Sequence, residues 1–323
     1  PSCKPPKQRH AAIAIERRSR PSHTSSPANS TSNYPLETAK SLSKPLNVKC
    51  LAALLKTSKN TNQKFGASVG SGSTSVEVDI QDLRDAISNG DIHPYFQSKI
   101  CLATGAVIGA EVLARWLHPE SGLVPPDQFI TLAEQHGLIA DLTWRLLRTA
   151  LAETRRIRED SPDFRIAVNL SADLLYDLEL PDRIATILSE YGLDADALAL
   201  ELTETTLLKP SSEALEVVGR LRLMGIKLSI DDFGTGQANL STLSCYPFSE
   251  LKIDQSFIKS ALTNAKSRAI VVSCVELGRS LNMRIVAEGI ENAGQLALVS
   301  QLGIDEAQGF WFSRPEPAKD FVF

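Results

Sequence analysis

Two adjacent carboxylates in the second half of the chain, Asp231 and Asp232, have the types and spacing of metal ligands. They end a short β-prone apolar run and are followed directly by a Phe-Gly-Thr-Gly loop. Neighbouring acids repel each other and lose hydration on burial, so a cation or a proton must compensate them. Because hard divalent cations prefer oxygen ligands, the pair predicts a metal site after a β-strand.

Polar residues also stand where the other predicted strands end. They are Glu111, Asn169, Glu201, Lys252, Glu288 and Gln308. Taken singly, each of these residues has an equally good structural explanation as a surface acid, a turn former or a solvated side chain. At one rim of a parallel α/β barrel, however, they would form a cluster of acids, amides and a lysine that indicates bound metals.

Phosphoester hydrolysis is the reaction that this set of side chains favours. The oxygen ligands suit Mg²⁺ or Mn²⁺, and the lack of His and Cys argues against zinc. A bridging acid such as Asp231 can hold two metals ~3.5–4 Å apart, which activate a water for in-line phosphoryl displacement. Lys252 can orient that water or neutralise charge on the phosphate, and Arg115 offers a planar fork for a phosphate or a guanine edge.

The elements that must position these residues are predicted from hydrophobic periodicity. Residues 93–100 and 107–116 form an antiparallel hairpin, and six further strands alternate with helices. Such alternation implies parallel neighbours with right-handed crossovers. Eight strands in about 240 residues predict an α/β fold of the closed (β/α)8 TIM-like type with one antiparallel strand. An open doubly wound sheet is the alternative, but no G-x-G-x-x-G follows the first parallel strand.

The charge distribution divides the chain into two parts. Residues 1–75 are rich in Ser and Pro and carry a net charge of +10, whereas residues 76–323 carry −14. The first part predicts a basic, disordered linker, and the second part predicts the barrel. A basic tail can touch nucleic acid or lipid, but a solvated linker is favoured, and no nucleic-acid partner is expected.

The remaining composition indicates a cytoplasmic protein. The five cysteines are scattered without a C-x-x-C pair, which is typical of free thiols in a reducing compartment. No apolar run approaches the ~18 residues of a membrane span, so no membrane segment is predicted in this chain. A start at Pro1 instead of Met is compatible with a fragment of a longer protein.

Seven motifs, in order from about residue 80 to residue 323, resemble those of the EAL-type cyclic di-GMP phosphodiesterases. They are Glu111-Val-Leu-Ala-Arg-Trp, Val168-Asn-Leu-Ser, Glu201-Leu-Thr-Glu, Asp231-Asp-Phe-Gly-Thr-Gly, Leu251-Lys-Ile-Asp, Ala287-Glu-Gly-Ile-Glu and Gln308-Gly-Phe. The resemblance implies a (β/α)8 barrel with one antiparallel strand and Mg²⁺- or Mn²⁺-dependent hydrolysis of cyclic di-GMP to linear pGpG. It also implies two metals per site, a homodimer formed through the barrel, and a role in bacterial signalling in biofilms and motility.

The resemblance assigns roles residue by residue. The implied metal ligands are Glu111, Asn169, Glu201, Asp231, Asp232 and Glu288. Asp231 is the implied bridge between the metals, Lys252 resembles the water-orienting lysine, and Glu204 resembles the acid that holds the loop after Asp232. Glu111, Lys252, Glu288 and Glu204 are thus the expected catalytic set. The implied substrate contacts are Gln97, Leu113, Arg115, Ser171 and Gln308, with Asp254 and Glu291 supporting the site from behind.

The chain departs from the family pattern at three places. Val112 replaces the middle Ala of the signature, and Ser98 replaces the usual proline after Gln97, both of which are minor changes. Gln237-Ala238-Asn239 stands where the family has an aromatic residue and two serines, in a loop associated with metal-site ordering and dimer coupling. A non-catalytic cyclic di-GMP receptor is the alternative function. Such a receptor should lack metal ligands or the lysine, and because none is missing the enzyme is favoured.

Overall fold

The computed structural model describes residues 78–203, 206, 211–235 and 240–322. The predicted linker at 1–75, Glu204 and the altered loop at 237–239 lie outside the described residues. The division of the chain at residue 75 therefore stays a prediction.

The described residues form a closed barrel. Its strands are β1 (Ile92–Cys101), β2 (Val107–His118), β3 (Gly122–Val124), β4 (Arg165–Asn169), β5 (Leu198–Thr203), β6 (Lys227–Phe233), β7 (Glu250–Ile253), β8 (Arg284–Ala287), β9 (Glu306–Ala307) and β10 (Glu316–Pro317). The order in the sheet is β10-β1-β9-β8-β7-β6-β5-β4-β2-β3, and a further pairing of β1 with β2 closes the ring. Eight of these strands make the barrel, as the sequence predicts.

Strand β1 is the one barrel strand that runs against its neighbours. It pairs antiparallel with β2, where Gln97 lies opposite Glu111, and antiparallel with β9. The neighbouring pairs from β2–β4 round to β8–β9 are all parallel. The prediction of one antiparallel strand is confirmed. The short strands β3 and β10 were not predicted, because two or three residues are too few to show an alternating pattern.

Nine α-helices cover the barrel in the described part of the chain. They are α1 (Ile80–Asn89), α2 (Pro126–Gln135), α3 (Ile139–Ile157), α4 (Leu180–Glu190), α5 (Ser212–Met224), α6 (Leu240–Cys245), α7 (Gln255–Ser260), α8 (Ala265–Ser280) and α9 (Ala293–Gln301). The side chains of Asp79 and Asn292 each form a capping box at a helix start. Gly225 ends α5 through its left-handed backbone, with a φ of 100°. The sequence did not predict α6 and α7, since each has only six residues.

Two apolar clusters stabilise the fold. The larger one packs the outward faces of the strands against the helices, with residues such as Leu151, Ile166 and Leu228. The smaller one packs helices α1 and α2 against the far end of β2, where the Trp116 and Phe129 rings meet edge to face at 5.8 Å. None of the described helices has the length and apolarity needed to cross a membrane.

The inside of the barrel is polar instead of apolar. Among the described residues, the charged ones that are at most 2% exposed are Lys99, Glu201, Glu250, Lys252 and Glu306. Buried charges need partners, so this interior requires a network of ion pairs. That network surrounds the candidate site.

Candidate active site

The ammonium group of Lys252, on β7, lies among four carboxylates. Its Nζ is 2.8 Å from Glu201 Oε2, 2.9 Å from Asp231 Oδ1, 2.8 Å from Glu288 Oε1 and 3.6 Å from Glu111 Oε2. These acids come from β5, from β6, from just after β8 and from β2. The four acids thus converge on one point, as the strand-end pattern predicts.

Two side-chain amides link the acids to one another. The Nε2 of Gln308, directly after β9, donates to Glu111 Oε2 at 2.6 Å and to Glu288 Oε1 at 3.0 Å. The Nδ2 of Asn169, at the end of β4, donates to Glu111 Oε1 at 3.4 Å. The predicted strand-end residues that this cluster brings together are Glu111, Asn169, Glu201, Asp231, Lys252, Glu288 and Gln308.

Asp231 and Asp232 lie at the outer edge of the cluster. Asp232 has a φ of 52°, which is uncommon for a residue other than glycine and is tolerated best by Asp and Asn. Its backbone N donates to Asp231 Oδ1 at 3.0 Å. Carboxylate oxygens of Asp231, Asp232 and Glu288 lie within 4.8 Å of one another, a spacing that can hold a metal ion. Burial, followed by the charges of Asp231 and Asp254, raises the pKa of Asp232 to about 6.

The raised pKa values of two carboxyl groups indicate that the cluster lacks positive charge. Burial raises the pKa of Glu201 to about 7 and that of Glu288 to about 8, and the carboxylates of Glu111 and Asp231 add to both shifts. Burial alone would lower the pKa of Lys252, but the surrounding carboxylates raise it well above its usual value. Lys252 is thus a fixed cation, and the acids take up protons unless further cations bind.

The donor atoms fit a hard divalent cation. The cluster offers carboxylate and amide oxygens, and the described residues around it contribute no His or Cys. Glu201 is fully buried, yet its Oε1 has no hydrogen-bond partner among the described residues. That oxygen faces the Lys99 ammonium at 3.6 Å, and the other oxygen, Oε2, is the one that points into the cluster. Oxygen ligands of this kind suit Mg²⁺ or Mn²⁺ better than zinc.

A cavity of about 310 Å³ opens over the cluster. It is lined by Gln97, Glu111, Leu113, Asp231, Asp232, Gln255, Lys259, Glu288, Gly289, Glu291, Gln308, Gly309 and Phe310. Of the predicted substrate contacts, Gln97, Leu113 and Gln308 are therefore at the cavity. Gln255 and Lys259 were missed, because they lie on the unpredicted helix α7. Phe310 belongs to the quoted motif Gln308-Gly-Phe but was given no role of its own.

Two other predicted substrate contacts do not line this cavity. The guanidinium of Arg115 donates to its neighbour's carbonyl, Ala114 O, at 2.8 Å and lies 5.9 Å from the centre of the Tyr95 ring. Ser171 precedes a short 3-10 turn, and its Oγ is buried without a hydrogen-bond partner among the described residues. The roles of Arg115 and Ser171 stay predictions.

The residues expected to support the site lie at its edge. Asp254 caps helix α7 by accepting from Ser256 N at 2.9 Å and from the hydroxyl of the same serine. Glu291 lines the cavity and forms a 3.0 Å ion pair with Lys259. Their supporting role, like that of Glu204, stays a prediction.

A second ionic group lies deeper in the barrel and was not predicted. Lys99 Nζ is 2.6 Å from Glu250 Oε1 and 3.6 Å from Glu201 Oε1, so that this group adjoins the candidate site. The signal was present in the sequence: Gln97 and Lys99, like Glu250 and Lys252, are two apart on a strand, and residues two apart point to the same side.

Comparison with known proteins identifies relatives of the whole barrel. Residues 80–315 match the sequence pattern described as the EAL domain. The chain is 36% identical over 243 residues to the cyclic di-GMP phosphodiesterase RocR of Pseudomonas aeruginosa, which covers 75% of this chain and 62% of RocR. It is 39% identical over 244 residues to the bifunctional diguanylate cyclase/cyclic di-GMP phosphodiesterase MucR of the same organism, covering 75% of this chain and 36% of MucR.

The solved structures lead to the same fold. The PaMucR phosphodiesterase in its c-di-GMP complex superposes with a TM-score of 0.71 at 39% identity, covering 75% of this chain and 98% of the other. The chain spans less than two thirds of the full length of RocR and MucR. The similarity thus covers only part of each of these relatives.

Proposed function

This chain belongs to the EAL domain family, and from that premise we propose that it hydrolyses cyclic di-GMP to linear pGpG with the help of two Mg²⁺ or Mn²⁺ ions. The observation that carries the proposal is the convergence of Glu111, Glu201, Asp231 and Glu288 on Lys252 within 3.6 Å. A receptor without catalysis would not need the lysine and the ligand set together. The names of RocR and MucR, which are similar proteins, support the substrate.

The acidic cluster would hold the cations. Glu111, Asn169, Glu201 and Asp231 are the proposed ligands of one ion, and Asp231, Asp232 and Glu288 those of the other. The spacing of the last three carboxylates supports this division. When bound, such a pair of cations supplies an activated water and neutralises charge on the phosphate oxygens.

Lys252 would act as a fixed donor next to the reacting phosphate. It keeps its proton, because carboxylates surround it and raise its pKa. We propose that it orients the attacking water and stabilises the negative charge that develops on the phosphate oxygens. A preorganised donor in a site with little water is effective because it need not reorient during the reaction. Glu204 would hold the loop after Asp232 in place.

The cavity would position the substrate. Gln97, Leu113 and Gln308 line it and would contact the nucleotide. Gln308 also donates to two of the acids, so it would place the substrate relative to the cations. Arg115 and Ser171 remain proposed contacts, although neither lines the cavity.

The proposal is tested by incubating the purified chain with cyclic di-GMP and Mg²⁺ or Mn²⁺ and separating the products by chromatography. We expect metal-dependent formation of pGpG, which is lost in Glu111→Ala and retained in Glu134→Ala, an exposed acid on α2. Binding of cyclic di-GMP without turnover in either metal would instead support the non-catalytic receptor. Activity that does not depend on Glu111 would refute the site assignment.

We also propose that the chain acts as a cytoplasmic homodimer formed through the barrel. The family resemblance supports this assembly, and sedimentation velocity over a range of protein concentrations tests it. A single species with the mass of one chain at all concentrations would contradict it.

A further inference from the structure

The inverted strand β1 sends one side chain across the inside of the barrel. Lys99 is 2% exposed, and its Nζ reaches Glu250 on β7 and Glu201 on β5, neither of which neighbours β1 in the sheet. Two residues before it on the same strand, Gln97 lines the substrate cavity. Lys99 thus lies beneath the candidate site and within ion-pair distance of one of its proposed metal ligands.

Lys99 is held firmly from the side away from the site. Its Nζ donates to Glu250 Oε1 at 2.6 Å, and the other oxygen of Glu250 lies 3.6 Å from Arg165 Nη2. Arg165 also pairs with Glu306, which accepts from Arg284 at 2.8 Å. Although burial opposes ionisation, Lys99 and Arg165 lower the pKa of Glu250 to about 2, so this anchor stays charged.

The two carboxylate oxygens of Glu201 face different lysines. Oε2 accepts from Lys252 at 2.8 Å, whereas Oε1 has no hydrogen-bond partner in the described part of the chain and faces Lys99 at 3.6 Å. Glu201 is fully buried, so water does not stabilise Oε1 from outside. The Lys99 ammonium is the cation that the structure provides for that oxygen.

We propose that Lys99 is a positioning residue that fixes the carboxylate of Glu201 for metal binding. It attracts Oε1 toward the barrel interior, and Oε2 then stays directed at the cluster around Lys252. This inference rests on the proposed function only in taking Glu201 as a metal ligand. Lys99 lies on β1, outside the seven motifs quoted above.

Two simpler accounts predict different behaviour. If Lys99 only fills the barrel, its loss lowers stability and leaves metal affinity unchanged. If it acts only through its charge, its loss removes a repulsive cation from beside the metals and tightens metal binding. If it positions Glu201, its loss weakens metal binding, because groups that orient metal ligands are typically worth roughly 10–100-fold in affinity.

The test uses the full chain and a charge-neutral double variant, Lys99→Met with Glu250→Leu. Removing both partners avoids a buried unpaired Glu250, which would by itself destabilise the protein. Lys99→Gln, which keeps a hydrogen-bond donor, is made in parallel so that either folded variant decides the question. Arg284→Gln is the matched control, since it breaks a bond of the same network that does not touch Glu201.

Mn²⁺ affinity is measured directly by calorimetric titration without substrate, with circular dichroism as the check of folding. We expect the Kd for Mn²⁺ to rise roughly 10-fold or more in the double variant and in Lys99→Gln, and to stay at the wild-type value in Arg284→Gln. The kcat for cyclic di-GMP should fall with it while KM changes little. An unchanged or tighter Kd in the Lys99 variants, or no Mn²⁺ binding by the wild type, overturns the proposal.

The hydrolysis assay tests the proposed function independently of the test of Lys99. A wild-type chain that binds Mn²⁺ but does not hydrolyse cyclic di-GMP refutes the enzyme, while the calorimetric comparison still decides the role of Lys99. If Mn²⁺ binding then weakens as expected, the positioning role stands without the activity.

Discussion

At the scale of single residues, the charge balance around Lys252 determines what the site can do. One ammonium group lies within 3.6 Å of four carboxylates and cannot neutralise all of them. The raised pKa values of Glu201 and Glu288 are the result, because burial and mutual repulsion favour the neutral acids. The site therefore binds either protons or cations, and three predictions follow from that competition.

The first prediction concerns Lys252. Lys252→Met should lower kcat for cyclic di-GMP by roughly 10²–10³-fold, because a preorganised donor to the reacting phosphate is lost. Mn²⁺ binding should be retained or tightened, since a competing cation is removed from the carboxylates. The measurement pairs steady-state kinetics with a metal titration, and Lys266→Met on the exposed start of α8 is the control. Full activity of Lys252→Met would remove the lysine from the mechanism.

The second prediction separates the backbone of Asp232 from its carboxylate. The backbone φ of Asp232 is 52°, a conformation that glycine adopts without strain. Asp232→Gly should therefore keep or raise the melting temperature of the metal-free protein. Metal affinity should nevertheless fall, as an oxygen ligand is lost. Asp232→Ala should lose both stability and metal affinity. Equal Mn²⁺ affinity in the wild type and Asp232→Gly would show that the carboxylate is no ligand.

The third prediction concerns pH. Glu201 and Glu288 titrate in the folded protein near pH 7 and pH 8, above the usual 4.5, so the folded state holds protons that the unfolded chain has released. Their contribution to stability is present at low pH and is lost as the pH rises through these values. The metal-free protein should thus become less stable toward pH 8, while Mn²⁺ binds more tightly.

Thermal melts with and without saturating Mn²⁺ measure both effects. The increase in melting temperature caused by Mn²⁺ should grow between about pH 6 and about pH 8. In Glu288→Gln, which cannot titrate, this growth should be smaller. A pH-independent stabilisation by Mn²⁺ would mean that the ion does not displace protons from these acids.

At the scale of elements, close contact between strands decides whether the acids meet. Gly109 on β2 pairs with Arg165 on β4, and a Cβ at Gly109 would lie 2.2 Å from the Arg165 carbonyl oxygen. That oxygen belongs to the backbone and cannot move without breaking the pairing. Since β2 carries Glu111 and β4 carries Asn169, this contact fixes the relative position of two proposed metal ligands.

The fourth prediction tests this contact. Gly109→Ala should lower the free energy of unfolding by about 2–3 kcal/mol, because the added methyl group forces the strands apart. Gly219→Ala on α5 is the matched control: its Cβ would meet nothing within 4 Å, and the change should stabilise the helix by about 0.5–1 kcal/mol. Chemical denaturation measures both. Equal stability of the two variants would contradict the tight packing of β2 on β4.

At the scale of the whole molecule, the barrel should function without the basic segment at 1–75. Helix α1 belongs to the barrel unit, because Leu83 is fully buried in the cluster that contains Trp116. We therefore expect the boundary of the folded domain to lie before α1.

The fifth prediction compares two deletions. Removal of residues 1–75 should leave kcat and the melting temperature unchanged, because that segment has too few apolar residues to form part of the core. Removal of residues 1–91, which also deletes α1, should lower the melting temperature by exposing the Trp116 cluster to water. Loss of activity in the shorter deletion would show that the basic segment contributes to the site.

The sequence by itself determined the order of the main elements and the set of acids at the site. Alternating strands and helices predicted the barrel, and the hairpin predicted its antiparallel strand. Both could be predicted because the hydrophobic periodicity of a strand or a helix is visible within a few residues of sequence. The positions of Glu111, Asp231 and Glu288 at the ends of predicted strands indicated that they would meet at one rim of the barrel. Short elements such as β3, α6 and α7 were missed, since periodicity needs more residues than they have.

Only the tertiary structure decided which side chains share the barrel interior. Lys99 and Glu250 are 151 residues apart, and Gln308 and Glu111 are 197 apart. Local pattern cannot pair such residues, because their contact depends on where β1 closes the ring between β9 and β2. Closure at that register placed Gln97 at the cavity and Lys99 beneath Glu201. Arg115 and Ser171, which belong to motifs that the sequence had marked, are not among the residues that line the cavity, and their role stays a prediction.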